Sequence, residues 1–268
     1  MAKNCLLVSA GWLLTAKEDR ACYEDWAFLI EDGIVSDIGP GKDLSAKYST
    51  TDKLALNEHI VCPGLINCHN HAAMKLMRGL GQGLNLDDWL HQAIWPFEKK
   101  HLDAPTVGLG AELAMVEMLM SGITTFSDMY FFPETVASVA ERLGLNIQLA
   151  VPIISLDTRW ARGSEECIHQ ALALHDLYRD HQHVSVSFGP HSVEALDLET
   201  LEKIGMYADE LDLGIQIHLQ ETSGELDRAL KKHGHSFVVL LKKIGLMNER
   251  LQVVHAVHLT SEDKACLL

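Results

Sequence analysis

The sequence lacks the patterns by which several large classes announce themselves. Its six cysteines, Cys5, Cys22, Cys62, Cys68, Cys167 and Cys266, form no C-x-x-C pair, so neither a zinc knuckle nor a disulfide scaffold is indicated. Reduced thiols packed as small apolar residues account for them. No window reaches the roughly 18 apolar residues of a membrane span, and the opening MAKNCLLVSAGWLLTA holds no signal-peptide core with a clean cleavage site. A cytoplasmic protein is expected. No block of Lys or Arg interrupts a chain of net charge −15, built from 22 basic and 37 acidic residues. That balance argues against nucleic acid or an anionic lipid surface as partner and favours a small neutral or polar ligand. There is no low-complexity tract and no internal repeat.

What the chain does have is apolar residues and histidine. At 268 residues and 47 % hydrophobic, it can build a substantial core. Residues 1 to about 58 read as all-β: CLLVSAGWLLTA, then DWAFLIEDGIVSDIG with Glu31-Asp32-Gly33 as the turn between two β-prone runs. From about residue 59 to 268, short apolar runs alternate with longer amphipathic ones, the pattern of strand-helix units around a parallel sheet. Six strands are visible, at 59–69, 122–130, 145–154, 183–191, 213–221 and 251–259. Helical stretches lie between them, including one continuous segment ELDRALKKHGHSFVVLLKKIG. Repeated units of this kind favour an α/β fold with a (β/α)8 TIM-like barrel over an open doubly wound sheet.

Barrel enzymes carry their reactive groups at the C-terminal ends of the strands. Of the 15 histidines, His69 and His71 end the first candidate strand, His191 the fourth, His218 the fifth and His255 the sixth. A lone histidine often only bonds a nearby carbonyl, but four strand ends of six cannot be read that way together. In a strand, residues i and i+2 share a side, so His69 and His71 project into one space. With His218 they make a three-imidazole set suited to zinc or iron(II), leaving a position for water. Glu221, three residues past His218, is placed to move a proton of that water; its bland reading is a carboxylate at the start of the helix that Thr222-Ser223-Gly224-Glu225 opens. Other histidine-pair families are excluded by absences: Ala72 and Ala73 follow H-x-H where a metallo-β-lactamase-like site has Asp-His, and there is neither P-C-x-x-C nor H-E-x-x-H.

Several stretches in a fixed order carry more than spacing: PGLINCHNHAAMKLMRGLGQGLNLDDWLHQAIWPFE (63–98), GPHSVEALDLETL (189–201), IHLQET (217–222) and VHAVHLT (254–260). Together they resemble the amidohydrolase superfamily, in particular the 5-methylthioadenosine/S-adenosylhomocysteine deaminases and the related chlorohydrolases, from about residue 5 to the end. The resemblance implies that His69, His71 and His218 hold one Zn2+ per subunit, with Fe2+ as the alternative. It implies that Glu221 is the proton shuttle and His255 the histidine orienting the attacking water or the purine. Glu98 resembles a carboxylate that grips ribose hydroxyls, against a plain pairing with Lys99 or Lys100, and His191 resembles a substrate-contacting histidine. His258 is left structural. The implied reaction is attack of cation-activated water on C6 of an adenine nucleoside, Glu221 taking the proton and returning it to departing ammonia. Residues 1–58 become half of a small β-sandwich built from both ends of such chains.

Two departures stand out. The family continues through two further strands, one carrying a metal-binding aspartate, whereas this sequence stops at Leu268; the expectation is a segment of a longer protein. On the third strand, NIQLAVPIIS has Val151 where many relatives place an arginine for a substrate carboxylate, while Arg159 and Arg162 follow in the loop, so methylthioadenosine or adenosine is a firmer expectation than S-adenosylhomocysteine. Hydrolysis at another heteroaromatic carbon, as in guanine or cytosine deamination or triazine dechlorination, is the alternative chemistry. A non-catalytic fragment is the alternative class. Homo-oligomers are expected only by analogy.

Overall fold

The computed structural model describes residues 5–16 and 21–267. The chain divides into two compact units, Met1–Leu65 and Ile66–Leu268.

The first unit is a five-stranded sheet. Strand β1 (Cys5–Leu14) pairs antiparallel with β3 (Trp26–Glu31), β3 with β4 (Ile34–Pro40), and the far end of β1 with the short β2 (Cys22–Glu24). The β3–β4 hairpin closes at Asp32 and Gly33, both at positive φ, the backbone that matches the twist of the flanking strands. Strand β5 (Asp52–Val61) joins β1 in parallel. A parallel neighbour needs a crossover, and here it contains α1 (Gly41–Lys47). The expectation of an all-β stretch is therefore corrected. GKDLSAK is helical because Asp43 and Lys47 complement the helix dipole from opposite ends and Leu44 has a core to enter beside Leu7, Ala27 and Leu29.

The second unit is built on six strands in the order β11-β10-β9-β8-β7-β6. They are β6 (Leu65–Asn70), β7 (Ile123–Asp128), β8 (Asn146–Ile153), β9 (Val184–Pro190), β10 (Ile215–Leu219) and β11 (Leu251–His255). Neighbours from β7 to β11 run parallel. The crossovers carry α2 (Leu86–Trp89), α3 (Trp95–His101) and α4 (Ala104–Met120) between β6 and β7, then α5 (Pro133–Leu143), α6 (Gly163–Tyr178), α7 (Leu198–Leu211), and the pair α8 (Ser223–His233) and α9 (Phe237–Lys243). Helices outside and packed side chains inside bury both faces, which is why β10 has no exposed residue. Phe126, Leu149, Phe188 and Ile204 anchor one continuous core. The sheet curls so far that Gln252 Nε2 on β11 donates to the Cys68 carbonyl on β6 at 2.7 Å. This is the α/β barrel wall of the TIM type, with six strands supplied by this chain.

Two further element assignments change. The strand expected at 59–69 is two, β5 and β6, because Cys62-Pro63-Gly64 lies between them and Pro63 has no N–H to give a ladder. The long helix expected after Glu221 is also two. Gly234, at φ +72°, ends α8, and Ser236 caps α9 by accepting from Val239 N. Among the described residues, no helix is long and apolar enough to cross a membrane.

Candidate active site

Parallel strands wound in one direction place all their C-terminal ends on one rim, and that rim gathers the histidines. His69 lies on β6; His71 follows its end and caps a 3₁₀ segment, Ala72–Met77. His218 lies on β10, His255 ends β11, and His191 follows β9. Ring centres of His69 and His71 are 4.7 Å apart, those of His69 and His218 4.8 Å, and those of His71 and His218 5.2 Å. His191 stands 4.8 Å and His255 5.3 Å from His218. All five come together.

Each of three imidazoles is anchored through Nδ1 to an oxygen behind it. His71 Nδ1 donates to the Met129 carbonyl at 2.6 Å, His218 Nδ1 to the His191 carbonyl at 2.7 Å, and His69 Nδ1 to Gln216 Oε1 at 2.9 Å. A carbonyl can only accept, so the proton belongs on Nδ1 and the Nε2 lone pair is left facing forward. Nε2 of His69 and Nε2 of His218 then lie 3.1 Å apart. This is the arrangement of metal-binding histidines, whose other ring nitrogen bonds a carbonyl or carboxylate.

By distance alone a different trio is tight, since the ligand nitrogens of His69, His218 and His255 lie within 4.8 Å of one another. The outer hydrogen bonds favour His71 over His255 as the third donor, because His255 Nε2 instead faces Glu221 Oε2 at 3.5 Å. Burial keeps the inner imidazoles neutral, as coordination requires. It lowers His69, brings His71 and His191 down to about 4, and, with His191 and His71 close by, brings His218 to about 2.

Glu221 is half-buried beyond the end of β10. The two peptide N–H groups that precede the next helix, Gln220 N and Glu221 N, are held by the Glu225 carboxylate at 2.9 and 2.8 Å. Thr222 caps α8 by accepting from Glu225 N. The helix start foreseen at Thr222 is thus real, and it is Glu225, not Glu221, that serves it. Gln220 adopts φ +52°, His255 +73° and Ala256 +49°; left-handed backbone at non-glycine residues costs about 1–3 kcal/mol each. A buried network holds the turn: Gln220 Nε2 donates to the His258 carbonyl and to Asp263 Oδ2, and Ser236 donates to Asp263. His258 enters these bonds through its backbone.

The rim opens into a cleft of about 1710 Å³, larger than the ~300–1,000 Å³ of a usual small-ligand pocket. Trp89, Leu90, Trp95, Phe131 and Leu156 give it apolar walls. Glu98, on α3 (Trp95–His101), does not pair with Lys99 or Lys100: its Oε1 accepts from the Tyr130 hydroxyl at 2.6 Å. Burial raises the Glu98 carboxyl, and the Tyr130 bond offsets part of that. Arg159 and Arg228 reach the cleft, Arg228 already pairing bidentately with Glu194 at 2.8 Å. Reading by strand ends did not find Gln216 or Tyr130. Gln216 could have been suspected, since it lies two residues before His218 on the same side of β10; nothing local marks Tyr130 or the Met129 carbonyl.

Comparison with known proteins bears on the family and the fold. The family model described as "Amidohydrolase family" matches residues 60–267. A 5-methylthioadenosine/S-adenosylhomocysteine deaminase of Saccharophagus degradans is 38 % identical over 98 % of this chain and 59 % of its own length; one from Teredinibacter turnerae is 38 % identical over 97 % and 59 %. The chain thus spans about three-fifths of the length of the curated relatives it matches. Among solved structures, a zinc-bound adenosine deaminase from Xanthomonas campestris superposes with a TM-score of 0.94 at 31 % identity, over 97 % of this chain and 60 % of that one. A zinc complex of atrazine chlorohydrolase from Arthrobacter aurescens has a TM-score of 0.88 at 21 % identity, over 98 % and 63 %, a likeness of fold. With a match across the barrel strands and a histidine rim assembled from four of them, this chain belongs to the amidohydrolase family.

Proposed function

We propose that this chain carries the cation-binding and proton-transfer apparatus of a hydrolytic deaminase acting on adenine nucleosides. The observation that carries the reading is the clustering of the His69, His71 and His218 rings with centres 4.7–5.2 Å apart, the Nδ1 of each held by an oxygen behind it and the Nε2 atoms of His69 and His218 face to face at 3.1 Å. Unprotonated nitrogens facing one another repel unless a cation lies among them. Neutral imidazole suits zinc and also iron(II), and the zinc-bound relative favours zinc. A divalent cation held there would acidify a water and polarise the ring that it attacks.

The remaining work falls to side chains of this chain. Glu221 takes the proton of the attacking water and delivers it to the departing amine, so one carboxylate is base and then acid. His255, 3.5 Å from Glu221 Oε2, steadies that carboxylate and orients the water. Trp89, Trp95 and Phe131 offer apolar faces to a purine, and His191 contacts it. Glu98, one oxygen engaged by Tyr130, leaves the other for ribose hydroxyls. The balance is water plus aminopurine nucleoside giving the hydroxy (keto) nucleoside and ammonia.

The deciding experiment is incubation of the zinc-loaded protein with methylthioadenosine or adenosine, following the ultraviolet change to the inosine form and ammonia release. Free adenine serves as the arm without ribose. Turnover of the nucleosides supports the reading. Zinc binding without release of ammonia from any of them would reject it.

A further inference from the structure

Of the three imidazoles that converge, two are tied to main-chain carbonyls, Met129 and His191. Substitution cannot remove those acceptors. His69 is the exception, for its Nδ1 partner is a side chain, Gln216 Oε1 at 2.9 Å. Gln216 is fully buried on β10. Its amide nitrogen donates to the Cys68 carbonyl at 3.2 Å and to Ser127 Oγ at 2.8 Å. Because the Cys68 carbonyl accepts and never donates, it fixes which end of the amide is nitrogen, and so compels the oxygen to face His69.

The bond spans 147 residues, from β10 across the barrel interior to β6, while the amide nitrogen also reaches β7 through Ser127. His69 and His218 are therefore set by the same strand: His218 sits on β10, and Gln216, two residues earlier on the same side, sets the tautomer and the ring plane of its partner. We propose that Gln216 is the positioning residue of the cation site, holding His69 as the Nδ1–H tautomer so that Nε2 is presented to a divalent ion. This rests on the cation site proposed above. The role requires an acceptor at Oε1; the bond to the Cys68 carbonyl fixes which end of the amide faces His69, and the bond to Ser127, a hydroxyl that can donate or accept, ties β10 to β7 without setting that choice.

That split makes the role testable apart from catalysis. Zinc dissociation constants are measured by chelator competition on the whole chain, together with the melting temperature of the chelated, zinc-free protein, for wild type, Gln216→Met, Gln216→Glu and Ser127→Ala. Gln216→Met keeps the volume and removes the acceptor, and zinc affinity should fall roughly 10- to 100-fold, the usual cost of losing the group behind a ligand histidine. Gln216→Glu keeps an oxygen on His69 but cannot donate to Cys68 or Ser127. Its zinc-free melting temperature should drop, yet zinc should bind as tightly as in wild type or tighter. Ser127→Ala should leave zinc affinity unchanged.

If Gln216 merely braces the strands, affinity will instead fall in Gln216→Glu in step with its melting temperature, and the positioning role is overturned. It is equally overturned if Gln216→Met folds and binds zinc like wild type. Should Gln216→Met not fold, Gln216→Glu decides alone. A wild-type chain that takes up no zinc would sink the cation site itself, an outcome distinct from either of these.

Discussion

His69 Nε2 and His218 Nε2 lie 3.1 Å apart although 149 residues separate them along the chain. Both rings have their other nitrogen committed as a donor, to Gln216 and to the His191 carbonyl, so two lone pairs meet at hydrogen-bond distance. A shared divalent cation relieves that conflict. His69→Ala and His218→Ala should each reduce bound zinc well below one equivalent in elemental analysis after dialysis. A full equivalent retained in both variants would contradict a site centred between them.

Glu221 contacts His255 and belongs to none of the outer bonds that fix the histidine cluster. Glu221→Gln, which preserves shape and removes the base, should therefore keep zinc content near that of wild type. Nucleoside deamination by that variant should drop about 10²–10⁴-fold in kcat, the usual weight of a positioned acid–base group. Metal content and turnover measured on one preparation separate proton transfer from cation binding. A near-normal rate would remove Glu221 from the chemistry.

Glu98 and Tyr130 share one short hydrogen bond, 2.6 Å, at the wall of the cleft. If the carboxylate grips ribose, Glu98→Ala should raise KM for adenosine by about 10-fold or more, since a hydrogen bond to a charged group is worth ~1.5–3 kcal/mol. Kinetics with free adenine should be indifferent to the same change. Equal loss for nucleoside and base would show that the residue serves the fold of the cleft and not the sugar.

Asp128 offers a pH test of the fold. It is buried at the end of β7, where Ala72 N donates to Oδ1 at 2.6 Å, and burial lifts its carboxyl from 3.8 to about 7. The folded protein therefore holds this proton at pH values where the unfolded chain has released it. The contribution is fully present below about pH 4 and is lost as pH rises through about 7, a change on the order of 4 kcal/mol for a shift of this size. Asp128→Asn keeps the acceptor for Ala72 N and cannot ionise. In chelated protein, its melting temperature should gain on that of wild type progressively between pH 4 and 7. A constant difference across that range would mean that Asp128 does not titrate there.

Much of the barrel can be read along the chain because strands buried on both faces are continuous apolar runs and the helices between them have their own period. The histidines at strand ends are visible for the same reason: once a strand is located, its C-terminal end is too. Legibility fails where a local pattern has two solutions. HIVCPGLINCH reads as one β-prone run until Pro63 interrupts the ladder, and GKDLSAK, too short to declare itself, becomes helical because Leu44 finds a core. Glu98 shows another limit: the resemblance pointed to a ribose-gripping carboxylate, but the Tyr130 hydroxyl that engages one of its oxygens comes from 32 residues away and leaves no local mark.

By itself, the sequence determined which chemistry was on offer: neutral imidazoles and a nearby carboxylate at strand ends, in an acidic chain without nucleic-acid or membrane signals. Residue type and strand periodicity are local properties, and they are written in order along the chain. Only the tertiary structure decided which atom of each ring faces inward. That choice depends on oxygens supplied from distant strands, Gln216 behind His69, Met129 behind His71 and His191 behind His218. A hydrogen bond of this kind is set by distances of a few ångströms across the barrel, and separation along the chain carries no record of it.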